Sequence, residues 1–237
     1  LAELPGGGWQ AAAVSRDDRR LALLRYRSAE SSEVWLMDSA GGTRRQLLPA
    51  AGAPAASFTP VAFSGDGASL YVLSDAAGEF RELVQVNLAD GTVRRLSADV
   101  PWDVVEAELS DDDALLALRI NVEGRHQLRL LDARSGAALA LPTLPPGSVR
   151  QMQFRPKHRE LAFSVDNAQG PSQLYSLDLD RGRVEPWTRA RLHPALDTAG
   201  LTEQQIVRWT SFDGRNISGL LNRPPARFTG KRPVLIE

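Results

Sequence analysis

Apolar and polar residues alternate with a period of two through most of this chain, in short runs closed by Asp, Gly, Ser and Asn. Such runs predict strands with one buried face, joined by tight turns. The runs repeat. AVSRDDRRLALLRY from Ala13, AFSGDGASLYVLSD from Ala62, ELSDDDALLALRIN from Glu108 and QFRPKHRELAFSVD from Gln153 superpose. Their third positions, Ser15, Ser64, Ser110 and Arg155, are separated by 49, 46 and 45 residues, and six residues beyond each stands Leu21, Leu70, Leu116 or Leu161. The second halves superpose too: EVWLMDSAGG, ELVQVNLADG, HQLRLLDARSG and SQLYSLDLDRG each end a strand on Asp or Asn (Asp38, Asn87, Asp132, Asp178) before a glycine turn and one last short strand.

Four strands per unit at a period near 46 predict an all-β fold of four β-propeller blades, over about 9–48, 58–97, 104–142 and 149–188. A helical solenoid of that period would need 3.6-residue periodicity, which the runs lack. After a linker at 191–205, Ile206 to Phe212 and Asn216 to Asn222 form a hairpin around Asp213-Gly214. Pro224-Pro225 stops it, and Val234-Leu235-Ile236 reads as the opening of a buried strand.

Composition narrows the chemistry. With 28 basic and 29 acidic residues the formal charge is −1, which gives no basic face for nucleic acid. No apolar run approaches the ~20 residues of a membrane helix. The absence of cysteine removes disulfides, thiolate metal sites and cysteine nucleophiles. His126, His158 and His193 each lack a second ligand at metal-binding spacing. Asp111-Asp112-Asp113 occupies the turn position of Asp17-Asp18 and Asp66-Gly67, and lacks the alternating acids and distal Glu of a calcium loop. No G-x-S-x-G elbow or glycine-rich phosphate loop is present, and Gly6-Gly7-Gly8 reads as a flexible run. The expectation is therefore no catalytic residue, no metal site and no cofactor in this chain. The five tryptophans, in different units, are expected to pack between blades.

The tail carries one further signal. Trp209, Ser211, Asp213-Gly214, Ile217, Gly219 and Pro224, then Lys231, Pro233 and Val234, resemble the junction between propeller and hydrolase in prolyl oligopeptidase family serine peptidases. The branch most resembled is the acylaminoacyl-peptidase and dipeptidyl-peptidase-like one, with Trp209 where Phe is common. The resemblance implies a propeller of seven or eight blades and an α/β-hydrolase domain in cis beginning near residue 206, the chain being cut before its oxyanion segment and triad. It implies that the whole enzyme hydrolyses short peptides by acyl transfer while this part, inactive alone, restricts entry by size. Innermost strands line the channel of a propeller, so Ala11 to Ser15, Val61 to Ser64, Glu106 to Ser110 and Gln151 to Phe154 are expected there. Arg150 and Glu108 are the polar candidates for substrate contact, and no other substrate-binding residue is assigned. The alternative is a non-enzymatic binding or scaffold propeller. Either way, four blades in an open arc leave apolar faces on the first and last, which predicts self-association. The composition fits a bacterial cytoplasm or periplasm equally.

Overall fold

The computed structural model describes residues 3–40, 43–193 and 201–236. Its eighteen strands form four four-stranded antiparallel sheets and one hairpin. Blade 1 comprises β1 (Trp9–Val14), β2 (Arg20–Ser28), β3 (Ser31–Asp38) and β4 (Arg44–Leu48). Blade 2 comprises β5 (Phe58–Phe63), β6 (Ser69–Ser74), β7 (Glu82–Asn87) and β8 (Val93–Arg95). Blade 3 comprises β9 (Asp103–Leu109), β10 (Leu115–Val122), β11 (Arg125–Asp132) and β12 (Ala138–Leu139). Blade 4 comprises β13 (Ser148–Phe154), β14 (Glu160–Asn167), β15 (Gly170–Asp178) and β16 (Arg183–Pro186). The hairpin pairs β17 (Gln205–Thr210) with β18 (Asn216–Leu221). Strands follow chain order within each sheet, and the first strands β1, β5, β9 and β13 lie side by side along the inner rim. Residues 194–200 of the expected linker at 191–205, and the Gly41-Gly42 turn, lie outside the described residues.

The repeated leucine explains how the blades stack. Leu70, Leu116 and Leu161, all fully buried, each project from the second strand of a blade into the seam with the blade before it. Their neighbours Tyr71 and Leu73, or Leu115 and Ala117, project into the following seam. The result is three apolar layers between four sheets, and β6 and β10 are therefore buried on both faces. This corrects the expectation of one buried face per strand, which holds best on β14 of the last blade. Alternation in the sequence is blurred where both faces are covered.

The turn between first and second strands is built alike in three blades. Ser15, Ser64 and Ser110 each donate a 2.6 Å hydrogen bond to the Asp two residues on. The same hydroxyl accepts the amide of Arg20, Ser69 or Leu115 at 2.9 Å. Asp18, Gly67, Asp113 and Lys157 all take a positive φ there, near 57–66°. Asp38, Asn87, Asp132 and Asp178 likewise accept amides of their own turns.

The end faces differ from expectation. On blade 1, Leu23 and Met37 are buried although, among the described residues, no other blade packs on this face. Trp9 and Trp35 meet edge-on at 5.8 Å over this face, with the Arg25 guanidinium 4.9 Å from the Trp9 ring. The carbonyls of Pro5 and Glu3 accept hydrogen bonds from Trp9 on the inner strand and Arg44 on the outer one, which lays the leading segment across the sheet. On blade 4 the free face is polar: Glu160, Ser164 and Ser176 stand where blade 3 has Leu115, Arg119 and Leu130. The five tryptophans do not all pack between blades either. Trp187 and Trp209 are largely exposed. Val234, Leu235 and Ile236 are exposed and outside any strand, because among the described residues no sheet lies beside them to accept their hydrogen bonds.

Candidate functional site

Strand direction alternates within each blade, so the turns between second and third strands share one end of the arc with the connections between blades. The hairpin lands on that end. Arg208 pairs in a two-pronged fashion with Glu123, and Arg125 donates to the carbonyl of Gln204. Leu220 packs over Gly124, where an added Cβ would stand 3.2 Å from its Cδ1. Arg215 lies 3.9 Å from Glu79 in the β6–β7 turn. Glu123 and Gly124 both have positive φ, 52° and 87°, as a two-residue turn that follows strand twist requires. Left-handed geometry in a glutamate is uncommon, and here it presents the carboxylate to the hairpin.

Just inside this mouth, blades 3 and 4 share a polar network. Arg119 donates to Glu106 at 2.7 Å, and its Nη1 lies 2.9 Å from His126 Nδ1. Burial, then the charges of Arg119 and Arg150, hold the His126 pKa below the ordinary imidazole value. A neutral ring accepting at Nδ1 carries its proton on Nε2. Among the described residues no hydroxyl hydrogen bonds that ring, so a nucleophile–base pair for acyl transfer is not assembled here. The His126 amide donates to Ser148 Oγ at 2.9 Å.

The two polar residues predicted to face the channel have different positions. Arg150 sits in a β-bulge, where Arg150 and Gln151 together oppose the interval between Val165 and Phe163, and it is exposed. The bulge turns its guanidinium to Asp166, 2.7 Å away. Glu108 is partly buried and accepts the Phe154 amide of the next blade at 2.9 Å, a seam contact. Burial pushes its carboxyl pKa up, partly offset by that amide. His158 lies in the turn that opens β14, and among the described residues no group of His, Asp and Glu is arranged to hold a metal.

The blade 2 side of the mouth holds residues that sequence reading passed over. Phe80 and Trp102 meet at 5.9 Å. Next to Phe80 in the chain, Arg81 donates from its amide to Asp103 at 2.8 Å and from Nη2 to Thr59 on the innermost strand at 3.0 Å. On the same face an apolar groove of about 580 Å³ lies between blades 1 and 2, walled by Pro49, Pro54, Phe58 and Ala76. The opposite mouth is tied by charge. Arg16 of blade 1 pairs with Asp113 of blade 3 at 3.0 Å, and Asp111 accepts the Lys157 amide of blade 4 at 2.9 Å. The Asp111–Asp113 run is thus a set of turn and inter-blade contacts.

The family model for the prolyl oligopeptidase N-terminal β-propeller domain matches residues 8–190. The chain belongs to that family. Solved structures agree with the fold. A puromycin hydrolase superposes with TM-score 0.78 at 21% identity over 96% of this chain and 35% of its own. A prolyl endopeptidase superposes with TM-score 0.72 at 16% identity, over 86% of this chain and 29% of its own. A puromycin-hydrolyzing peptidase of Mycobacterium tuberculosis gives 0.70 at 19% identity, over 86% and 32%. The chain thus spans about a third of the length of these family structures. No curated protein sequence matches it.

Proposed function

We propose that this chain is the lid of a serine peptidase, a propeller portion that covers the active site of an α/β-hydrolase domain in cis and admits only short or unstructured peptides. One observation carries the reading: the hairpin is clamped onto the Glu123–Arg125 turn at one mouth of the inner-strand arc. The chain that leaves Leu221 therefore starts over that mouth, where a catalytic domain would be covered by the blades. Enclosure excludes folded proteins by size, and a water-poor chamber strengthens stabilisation of the acyl-transfer transition state. The serine nucleophile belongs to the other domain, and this chain alone is inactive. The reading includes the division into blades at 1–190, linker at 191–205 and hairpin with a leading strand at 206–237. It also includes the acylaminoacyl-peptidase and dipeptidyl-peptidase-like branch, on the strength of the hairpin motif.

Self-association of the isolated chain belongs to the same proposal. Phe212, Phe228 and the Val234–Ile236 run are exposed apolar groups that a second copy could cover. Light scattering that finds only monomer at tens of micromolar would remove this part.

The deciding experiment is to read the source DNA beyond the Glu237 codon. A His-Gly-Gly-Pro segment followed by G-x-S-x-G supports the lid, and a stop codon directly after Glu237 transfers the case to a binding or scaffold propeller.

A further inference from the structure

The arginines at the hairpin-bearing mouth are nearly all engaged. Arg119, Arg150 and Arg208 face Glu106, Asp166 and Glu123, and Arg125 is taken by the carbonyl of Gln204. Arg81 is the exception. Its guanidinium is half-buried, and among the described residues no carboxylate lies within ion-pair distance. Asp103 is occupied by the Arg81 amide, not by its guanidinium. Nε is buried and has no hydrogen-bond partner, and the bond to Thr59 Oγ1 is the one that holds the side chain inward.

A cation partly withdrawn from water without a counter-ion is an energetic deficit. An incoming anion offsets it, and partial desolvation strengthens the attraction. The fork of a guanidinium matches a carboxylate. Phe80 and Trp102 adjoin Arg81 and Asp103 in sequence and supply an apolar wall at the same place.

We propose that Arg81 is a ligand-binding residue that receives a carboxylate of a short peptide at this mouth, with the Phe80–Trp102 pair contacting the peptide's apolar part. The inference rests on the mouth being a peptide entrance, as proposed above. The carboxylate comes either from the peptide's C terminus or from an acidic side chain.

The test uses the ¹⁵N-labelled chain and the Arg81 Nε–Hε resonance, assigned by its loss in Arg81→Lys. The probes are sodium acetate, acetyl-Gly-Gly-Gly, its C-terminal amide, and acetyl-Gly-Glu-Gly amide. The expected result is a saturable shift with acetate and acetyl-Gly-Gly-Gly, and binding of the plain amide roughly tenfold weaker because the charge-assisted pair is lost. Strong binding of the Glu-containing amide would assign the carboxylate to a side chain, and weak binding to the C terminus. Thr59→Val, which keeps the guanidinium but removes its anchor, is expected to weaken the response without unfolding the blade. Equal response to free acid and plain amide would overturn the carboxylate site. So would no response to acetate or any peptide, which leaves the lid reading standing. A response to acetate with none to the peptides would overturn the peptide site, leaving a small-anion contact only, and would count against the lid.

Discussion

Arg208 on the first hairpin strand and Glu123 in the β10–β11 turn form a two-pronged ion pair across 85 residues of sequence. The hydrogen bonds from Arg208 hold the Glu123 carboxyl pKa below its ordinary value, and those to Glu123 raise that of Arg208. With Arg125 and Leu220 beside it, this contact decides where the chain goes after the last blade.

Reversing one charge should therefore free the hairpin. In Glu123→Arg, amide exchange across Gln205–Leu221 is expected to accelerate while exchange in β10 stays slow, and Arg208→Glu in the same molecule should restore much of the protection. A carboxylate whose pKa is depressed in the folded state contributes above its unfolded value, and the contribution is lost as pH falls through the folded value. Docking should accordingly weaken in acid. Hairpin exchange unaffected by either single reversal would show that other contacts suffice.

At the opposite mouth, Gly65 leaves room for Asp113. A Cβ on Gly65 would stand 1.7 Å from Asp113 Oδ2, an overlap that makes the Asp113 carboxylate swing away from its Arg16 pair. Gly65→Ala is expected to destabilise the chain by up to about 1 kcal/mol in urea denaturation, the worth of a partly exposed ion pair. Adding Asp113→Ala should recover part of that loss, and strictly additive effects would mean that the two do not meet.

Glu108 should show the opposite pH dependence from Glu123. Burial raises its pKa, so the fold binds a proton more readily than the unfolded chain does. Between the two values stability falls as pH rises. Glu108→Gln keeps an acceptor for the Phe154 amide and removes the titration, so the difference in stability between variant and parent should grow in the variant's favour from acid towards neutral pH. A difference that is flat with pH would refute the assignment.

Phe163 fills the seam between blades 3 and 4 and stacks on Tyr175 at 5.8 Å. Truncation to Ala should cost about 3–5 kcal/mol. Val14→Ala on the half-exposed inner strand should stay within about 0.5 kcal/mol. Comparable losses at both sites would place the stability elsewhere than in the inter-blade layers.

The sequence by itself determined the blades, their turns and the hairpin. These are local: Ser-x-Asp turns, a glycine or Asp at the left-handed position, and a leucine six residues beyond the serine act within about ten residues, so a repeat exposes them by superposition. Only the tertiary structure decided which residues share the mouth. Arg150 turns to Asp166 because a bulge adds a residue to β13, and Glu108 is a seam contact because blade 4 covers it. Arg81 makes no ion pair among the described residues because its side chain turns to Thr59 on the innermost strand, while Asp103 meets its main-chain amide. Charge, burial and partner are properties of chains that meet across blades, and a pattern with period two says which face a residue occupies but not what that face will touch.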